Sequence, residues 1–529
     1  MMQRSANRYR ENGKAEKLLG AVYTPPRMAA ALVRWAVRSR SDRVCDPACG
    51  EGVFLAAART RLADLGNSLP TCVGVDVDPR AASAAGAVCE DFFAWFRRAS
   101  KFEVVVGNPP FIRSHLFPES SRKLAFQQMI RFGIKPSRLM STWAPFVALS
   151  GELLSEQGRL ALVVPEEILH INYAHELRRF LLTFFRRVIL CLPTRDLFPS
   201  VQQSVVLLLC EKDTQGPSGL FTMRFRRLEE GPPYCLEPAP PWSWCSKWTH
   251  VFLNQTERQF LSDTFRRLDW EPLQRHGRVE VGVVTGDNDF FLISKDQAEE
   301  FGKGYFESIV ASARDLSGIA FTSEDFSHLS NLRRPLFVLH TDQPFSSLPA
   351  RLRKYLEQGM AHGVHQRYKC RIREPWYAVP GIRPADALLF RQAGDMPRLI
   401  HLTRKLNSTD TIHRVWWNKP SLGRRHAVSF LNTLTLISCE ILGRSYGGGV
   451  LELMPGEANL IPIPEPEDKL EELFSQVDAK VRQKQYRDAV DLVDEVVKPA
   501  WLSKAKMEQA KSILESLIER RKSKQNGTH

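Results

Sequence analysis

The chain has 529 residues, of which 43% are hydrophobic and 25% charged, with ten cysteines and a formal net charge of +14. That length predicts more than one domain, and the composition is that of an ordinary globular protein. No run approaches the roughly 18 uninterrupted apolar residues of a membrane helix. The polar start MMQRSANRYRENGKAEKLL also lacks a signal-peptide core, so a cytoplasmic protein without a membrane partner is expected. The cysteines include no Cys-x-x-Cys pair, which argues against a zinc knuckle or a disulfide framework and predicts no metal site. The cationic excess points to a polyanionic partner, nucleic acid before an anionic membrane surface.

Up to about residue 214, short apolar runs alternate with helical patterns. Strands are predicted at Arg43–Asp46, Thr71–Asp76, Phe102–Gly107, Arg159–Pro165, Arg187–Pro193 and Gln203–Glu211. Their near-continuous apolar character predicts burial on both faces, as in a parallel sheet covered by helices. The run FVALSGELLSEQG, Phe146–Gly158, reads as an amphipathic helix ended by Gly158. The layout is doubly wound α/β. The proline-rich stretch Gly231–Trp244 fits neither a helix nor a central strand and predicts a domain junction. A mixed region follows to about Pro466, and from Glu467 onward charged residues at helical spacing predict two packed helices.

The charge is unevenly placed. Residues Asn331–Arg425 hold 18 Lys/Arg against 6 Asp/Glu, a net of +12, interleaved with Trp376, Tyr377, Trp416 and Trp417. Such interleaving suits a surface that tracks phosphates and touches bases; the alternative is core aromatics beneath a solvated charged face.

Chemistry-bearing residues fall at predicted strand ends. The run Asp46-Pro-Ala-Cys-Gly50-Glu-Gly52 predicts a tight turn that lets backbone approach a ligand. It lacks the Lys-Ser/Thr of a phosphate-cradling loop and the three spaced glycines of a dinucleotide site, so ATP and NAD are disfavoured. Asp76 ends the second strand, where a carboxylate can accept both hydrogens of a ribose diol. Asp78 reads as a turn or helix-cap residue. Asp91, followed by an aromatic, can hold an adenine amino group beside a packed ring. The fourth feature is EVVVGNPPFIRS, Glu103–Ser114, three valines running into Gly-Asn-Pro-Pro-Phe.

In this order, DPACGEG, GVDVDP, EDF and GNPPF resemble the motif series of S-adenosylmethionine-dependent DNA methyltransferases that act on exocyclic amino groups. The run AVYTPPRMAAALVRWAV, Ala21–Val37, resembles the segment that precedes the first strand in their gamma subgroup. The resemblance is close over roughly residues 20–214 and looser through Val279–Ile293 and Gly443–Pro464. It implies a Rossmann-like class I methyltransferase domain at 1–230, a mixed α+β target-recognition domain at 245–465, and a helical tail at 466–529. It implies S-adenosylmethionine as cofactor, with Thr24, Asp46, Ala48 and Gly50 near its methionine part, Asp76 on the ribose, Asp91 on adenine N6 and Phe92 as ring neighbour. It implies duplex DNA as substrate, a monomer, and a cognate restriction endonuclease as companion.

The Asn108-Pro109-Pro110-Phe111 loop then has a physical reading. An aromatic amine is a poor nucleophile because its lone pair is delocalised into the ring. The Asn108 side-chain carbonyl and the Pro109 backbone carbonyl can accept its two hydrogens and pull the nitrogen toward tetrahedral geometry. The prolines hold these acceptors rigidly. Phe111 offers a ring face worth roughly 1–3 kcal/mol of base stacking. By the resemblance, Phe198 packs on the other face of the extruded base; the alternative is ordinary core packing. Adenine N6 is the expected target; cytosine N4, an RNA or protein amino group, and a DNA-binding protein with a vestigial methyltransferase half are the alternatives. Thr285, Gly286 and Asn288 form either a loop near the nucleic acid or a hairpin turn, and GRSYGGGV is either a phosphate-approaching loop or a flexible turn.

Overall fold

The computed structural model describes residues 24–193, 205–225, 236–242, 245–446 and 449–523. It divides into two compact units, Met1–Asp263 and Thr264–His529. Among the described residues, no helix is long and apolar enough to cross a membrane.

Unit 1 is built on one sheet. Its strands are β1 (Val44–Asp46), β2 (Cys72–Asp76), β3 (Val88–Cys89), β4 (Phe102–Gly107), β5 (Leu154–Pro165), β6 (Arg187–Pro193), β7 (Val205–Glu211), β8 (Gly219–Phe225) and β9 (Glu237–Pro238). The order is β3-β2-β1-β4-β5-β7-β6-β8-β9. The run from β3 to β5 is parallel, and β7 lies antiparallel between β5 and β6. Among the described residues, the helices that flank the sheet are α1 (Pro26–Ala36), α2 (Val53–Asp64), α3 (Pro79–Ala85), α4 (Phe92–Trp95), α5 (Glu119–Arg131), α6 (Trp143–Glu152) and α7 (His175–Phe184).

The period of two explains the double winding. Val104, Val106, Ala161 and Val163 join a core with Met28, Leu32, Phe54 and Leu62 of α1 and α2. Val105, Leu160, Leu162 and Val164 join the opposite core with Trp143, Val147, Leu177 and Leu181 of α6 and α7. Successive strand residues therefore feed opposite faces, and both faces are covered. The mostly parallel α/β architecture is the one the strand pattern predicts.

One element departs from the sequence reading. The helix expected over Phe146–Gly158 begins at Trp143 and stops at Glu152, and β5 runs through Gly158. Leu154 is drawn into the ladder opposite Phe102, and the register then jumps to Arg159 opposite Val104. Pairing with β4 overrides the local helical period.

Beyond the proline-rich stretch the chain stays with unit 1. Trp248 and Val251 are buried in its core, the Trp248 N–H donates to the Leu169 carbonyl at 2.7 Å, and Arg178 reaches the Ser246 carbonyl at 3.1 Å.

Unit 2 holds a mixed sheet. Its strand path is Gly277–Glu280, Ile412–Trp417, Ala385–Phe390, Leu399–Ser408, Phe306–Val310, Phe337–Leu339 and Leu292–Ile293. Three terminal helices, Asp468–Arg482, Tyr486–Val497 and Lys504–Ser523, pack into this unit, where two were expected. Lys484, at φ 61°, turns the chain between the first two, and Pro499 lies between the last two. The Asp478 carboxylate accepts the backbone N–H groups of Ile319 and Ala320 at 2.7 and 2.9 Å.

Candidate active site

The site is assembled where β1, β2 and β4 end. After Asp46 the chain turns through Gly50 and Gly52, at φ 52° and 88°. Such left-handed conformations are costly for residues with a Cβ. An added Cβ at Gly52 would also meet the Ala85 Cβ at 3.0 Å, whereas one at Gly50 would point into open space. The Gly50 N–H donates to Asp76 Oδ2 at 2.8 Å, and the Asp78 N–H donates to Asp76 Oδ1 at 2.9 Å. One carboxylate thus ties the first turn to the second. Asp78 caps α3 through the Arg80 N–H, as its sequence position predicts.

Asp46 is fully buried beneath this turn. Its Oδ1 accepts the Ala48 N–H at 3.2 Å, and its Oδ2 is buried without a hydrogen-bond partner among the described residues. Burial pushes the carboxyl up to about 8, opposed by the Ala48 bond and aided by the charge of Asp76. A Cβ at Gly107, the last residue of β4, would lie 2.6 Å from Asp46 Oδ1. The glycine before Asn108 is what lets the fourth strand end against the first.

The loop after Gly107 is fastened at both ends. The Asn108 amide nitrogen donates to the hydroxyl of buried Thr24 at 3.0 Å. That bond orients the amide and turns its carbonyl oxygen away from Thr24. Thr142, just before α6, donates its hydroxyl to the Pro110 carbonyl at 2.5 Å and accepts the Ile112 N–H at 3.0 Å. The Thr142 N–H closes the clamp on the Ile112 carbonyl at 3.0 Å. Pro109 is buried, and Pro110 and Phe111 are half-buried, with Phe111 against both cores.

Asp91 begins α4 as its N-cap. Its Oδ1 accepts the N–H groups of Phe93 and Ala94 at 2.8 and 3.2 Å, and its Oδ2 accepts the Ser121 hydroxyl at 2.5 Å. Phe92 is 3% exposed and stacks on Phe146, with ring centroids 4.8 Å apart at 18°. Phe198 lies outside the described residues. Sequence reasoning missed Thr142 and Ser121. A threonine preceding a helix and a serine within one carry no signal that distinguishes them from ordinary polar residues.

In unit 2, much of the basic segment is paired with acids or carbonyls, and two of its arginines, Arg398 and Arg414, are buried. Arg334, Arg367 and Lys405 pair with Asp315, Asp287 and Asp386, and Arg424 and Arg425 pair with Glu471. The buried guanidinium of Arg398 donates to the carbonyls of Leu316 and Ser317, and that of Arg414 to those of Gly381 and Val281. Tyr377 and Trp417 are core residues, 1% and 5% exposed, while Trp416 lies under Arg383 at 4.0 Å. The Thr285–Asn288 stretch is a self-bonded turn leading into a short helix, Asn288–Phe291: the Thr285 hydroxyl donates to Asn288 Oδ1 at 2.6 Å and accepts the Asp287 N–H at 3.1 Å. Arg444–Tyr446 and Val450–Glu452 form an antiparallel pair, and Gly447 and Gly448 between them lie outside the described residues.

A doubly wound sheet with a glycine turn beneath the ends of β1 and β2 and an Asn-Pro-Pro-Phe loop on β4 defines a class I methyltransferase fold. Residues 8–87 match the family N-6 DNA Methylase, residues 72–189 the Eco57I restriction-modification methylase, and residues 245–498 the Type II methyltransferase M.Eco57I, C-terminal domain. Successive parts of the chain thus match N6-adenine and restriction–modification DNA methylase families, and the chain is a DNA methyltransferase. It is 21% identical to the Type II methyltransferase M.AccI of Acinetobacter calcoaceticus over 84% of this chain and 85% of that protein. It is 25% identical to M.XamI of Xanthomonas campestris pv. amaranthicola over 85% and 86%. Among solved structures, the Type IIL restriction-modification enzyme MmeI in complex with DNA shares the fold, at TM-score 0.50 and 13% identity over 92% of this chain and 73% of that one.

Proposed function

We propose that this chain transfers a methyl group from S-adenosylmethionine to the N6 amino group of a flipped-out adenine in duplex DNA, as the modification component of a restriction–modification system. The observation that carries the reading is the Asn108–Phe111 loop, held by Thr24 and Thr142 beside the Gly50–Asp76 turn.

The donor set fits the cofactor. Asp76 keeps oxygen lone pairs beyond its two backbone bonds to accept a ribose diol, and Asp91, next to Ser121, offers a carboxylate to an adenine amine. Thr24, Ala48 and Gly50, with open space over Gly50, take the methionine part, and Phe92 is the ring neighbour. S-adenosylmethionine, when bound, supplies an electrophilic methyl group on its sulfonium sulfur. The chain's own part is to grip the amine. Asn108 Oδ1 and the Pro109 carbonyl accept the two amino hydrogens, which frees the lone pair from the ring and aims it. Because the loop is fixed before the base arrives, little reorganisation is needed at the moment of reaction. Phe111 stacks on the extruded base, offsetting part of a flipping cost of a few kcal/mol.

Unit 2 reads the duplex. The match of residues 245–498 to a methyltransferase C-terminal domain and the cations left outward-facing, among them Arg371 and Lys369, support this role. The chain works beside a cognate endonuclease, in the cytoplasm, as a monomer.

The test is methyl transfer from labelled S-adenosylmethionine to unmethylated genomic DNA, with RNA and protein as competitors, followed by nucleoside analysis. Label is expected in N6-methyl-2′-deoxyadenosine of the DNA. Label in N4-methylcytosine would overturn the adenine assignment, and label in RNA or protein would overturn the substrate class.

A further inference from the structure

The most exposed aromatic of the basic segment is not one of its tryptophans. It is Tyr368, within the run HQRYKCRIRE, residues His365–Glu374. Tyr368 and Ile372 are each 62% exposed. They stand four residues apart at either end of a single helical turn, Tyr368–Arg371, and so share a face. Scattered single apolar residues on a surface are ordinary. These two are adjacent, seated rigidly and ringed by cations.

The seat has three anchors. Cys370, between the two exposed residues, is fully buried. The Arg367 guanidinium pairs at 2.7 Å with Asp287, whose side chain is 6% exposed. The Arg373 guanidinium donates to the carbonyls of Val284 and Thr285, both at 2.8 Å. All three lead back to the Thr285–Asn288 turn, where Gly286 lies so close to Lys369 that an added Cβ would meet the Lys369 Cβ at 3.0 Å. That turn is therefore the platform on which Tyr368 and Ile372 are raised. The rim is cationic. Lys369 and Arg371 are exposed, each with its charge 5.6 Å from the Tyr368 ring centroid. The run carries four Lys/Arg against one acid, Glu374.

A rigid apolar tip inside a cationic rim complements a partner with anionic walls and an apolar stack behind them, which is the chemistry of duplex DNA. We propose that Tyr368 and Ile372 form a wedge that enters the base stack of duplex DNA, with Lys369 and Arg371 on the flanking phosphates. This rests on the reading of unit 2 as the DNA-binding part and deepens it. An inserted wedge partly unstacks a base step, which lowers the cost of extruding a neighbouring base.

The experiment uses the full chain and a relaxed closed-circular plasmid that the wild type methylates. Protein is bound, topoisomerase I is added, and the linking number is read after protein removal. In parallel, methyl transfer to the same plasmid and the melting temperature are measured. Wild type should leave the plasmid underwound, because insertion unwinds the duplex. Tyr368→Ala with Ile372→Ala should abolish that shift and lower kcat/KM on the order of tenfold, with melting unchanged. Tyr368→Phe should keep both. Lys369→Ala with Arg371→Ala should instead flatten the salt dependence of binding by nearly two, about 0.9 per phosphate contact. A double alanine variant that still shifts the linking number and methylates within about twofold of wild type would overturn the wedge alone. A wild type that methylates no DNA would overturn the proposed function, and the wedge with it.

Discussion

Asn108→Ala is expected to lower the rate of methyl transfer by at least 10²–10³-fold while leaving cofactor affinity within about twofold of wild type. The magnitude is that of removing one preorganised polar contact from a reacting group in a dry site. The selectivity follows from position. Asn108 leaves the end of β4, whereas the residues proposed for the cofactor leave β1, β2 and the start of α4; only Thr24 is shared, through its hydroxyl. Thr24 keeps its buried place at the start of α1 when the amide is lost. Single-turnover kinetics with calorimetric titration of S-adenosylmethionine separate the two effects. Parallel loss of rate and cofactor affinity would make Asn108 part of the cofactor wall instead.

The second large effect is structural. Arg521, on the last helix, is 1% exposed. Its guanidinium pairs with Glu440 at 2.9 Å and donates to the carbonyls of Gly394 at 2.8 Å, Asp395 at 3.1 Å and Gly449. It stitches the terminal helix to a buried helix, Thr433–Leu442, and to two loops of unit 2. Burial pushes the Glu440 carboxyl up, and the Arg521 charge pulls it back. Arg521→Ala strands that carboxylate, at a cost of about 3–5 kcal/mol, which for a unit of this size lowers its melting temperature on the order of 10 °C. Calorimetry reads it directly. Pairing Arg521→Met with Glu440→Gln should recover much of the loss, because no charge is then left buried alone. An unchanged melting temperature in Arg521→Ala would mean the tail is not integral to the unit.

Unit 1 is legible in the sequence because its strands are short apolar runs with one chemical residue at each end. That pattern alone places Asp46, Asp76 and Asn108 at strand ends, and Asp78 at a cap. What it does not carry is what holds them. The clamp of Thr142 on Pro110 spans 32 residues, the bond from Asn108 to Thr24 spans 84, and the burial of Asp46 depends on Gly107 of the distant fourth strand closing against it. Unit 2 is harder to read for the same reason. Its net charge is visible, but whether each arginine faces solvent or a buried carbonyl is decided by partners such as Asp315, Asp287 and Glu471, mostly outside the basic segment. Trp417 and Tyr377 have the sequence setting of surface aromatics and are core residues, while Tyr368 gives no signal that sets it apart from its charged neighbours. The helix expected to run to Gly158 stops short because a β-ladder, not a local period, claims Leu154.

The most direct test is a crystal structure of the chain with duplex substrate and a cofactor analogue that cannot donate its methyl group. The account predicts an extruded adenine whose N6 lies within hydrogen-bond distance of both Asn108 Oδ1 and the Pro109 carbonyl, with its ring on Phe111. A base seated elsewhere, with both carbonyls turned from any exocyclic nitrogen, would contradict it.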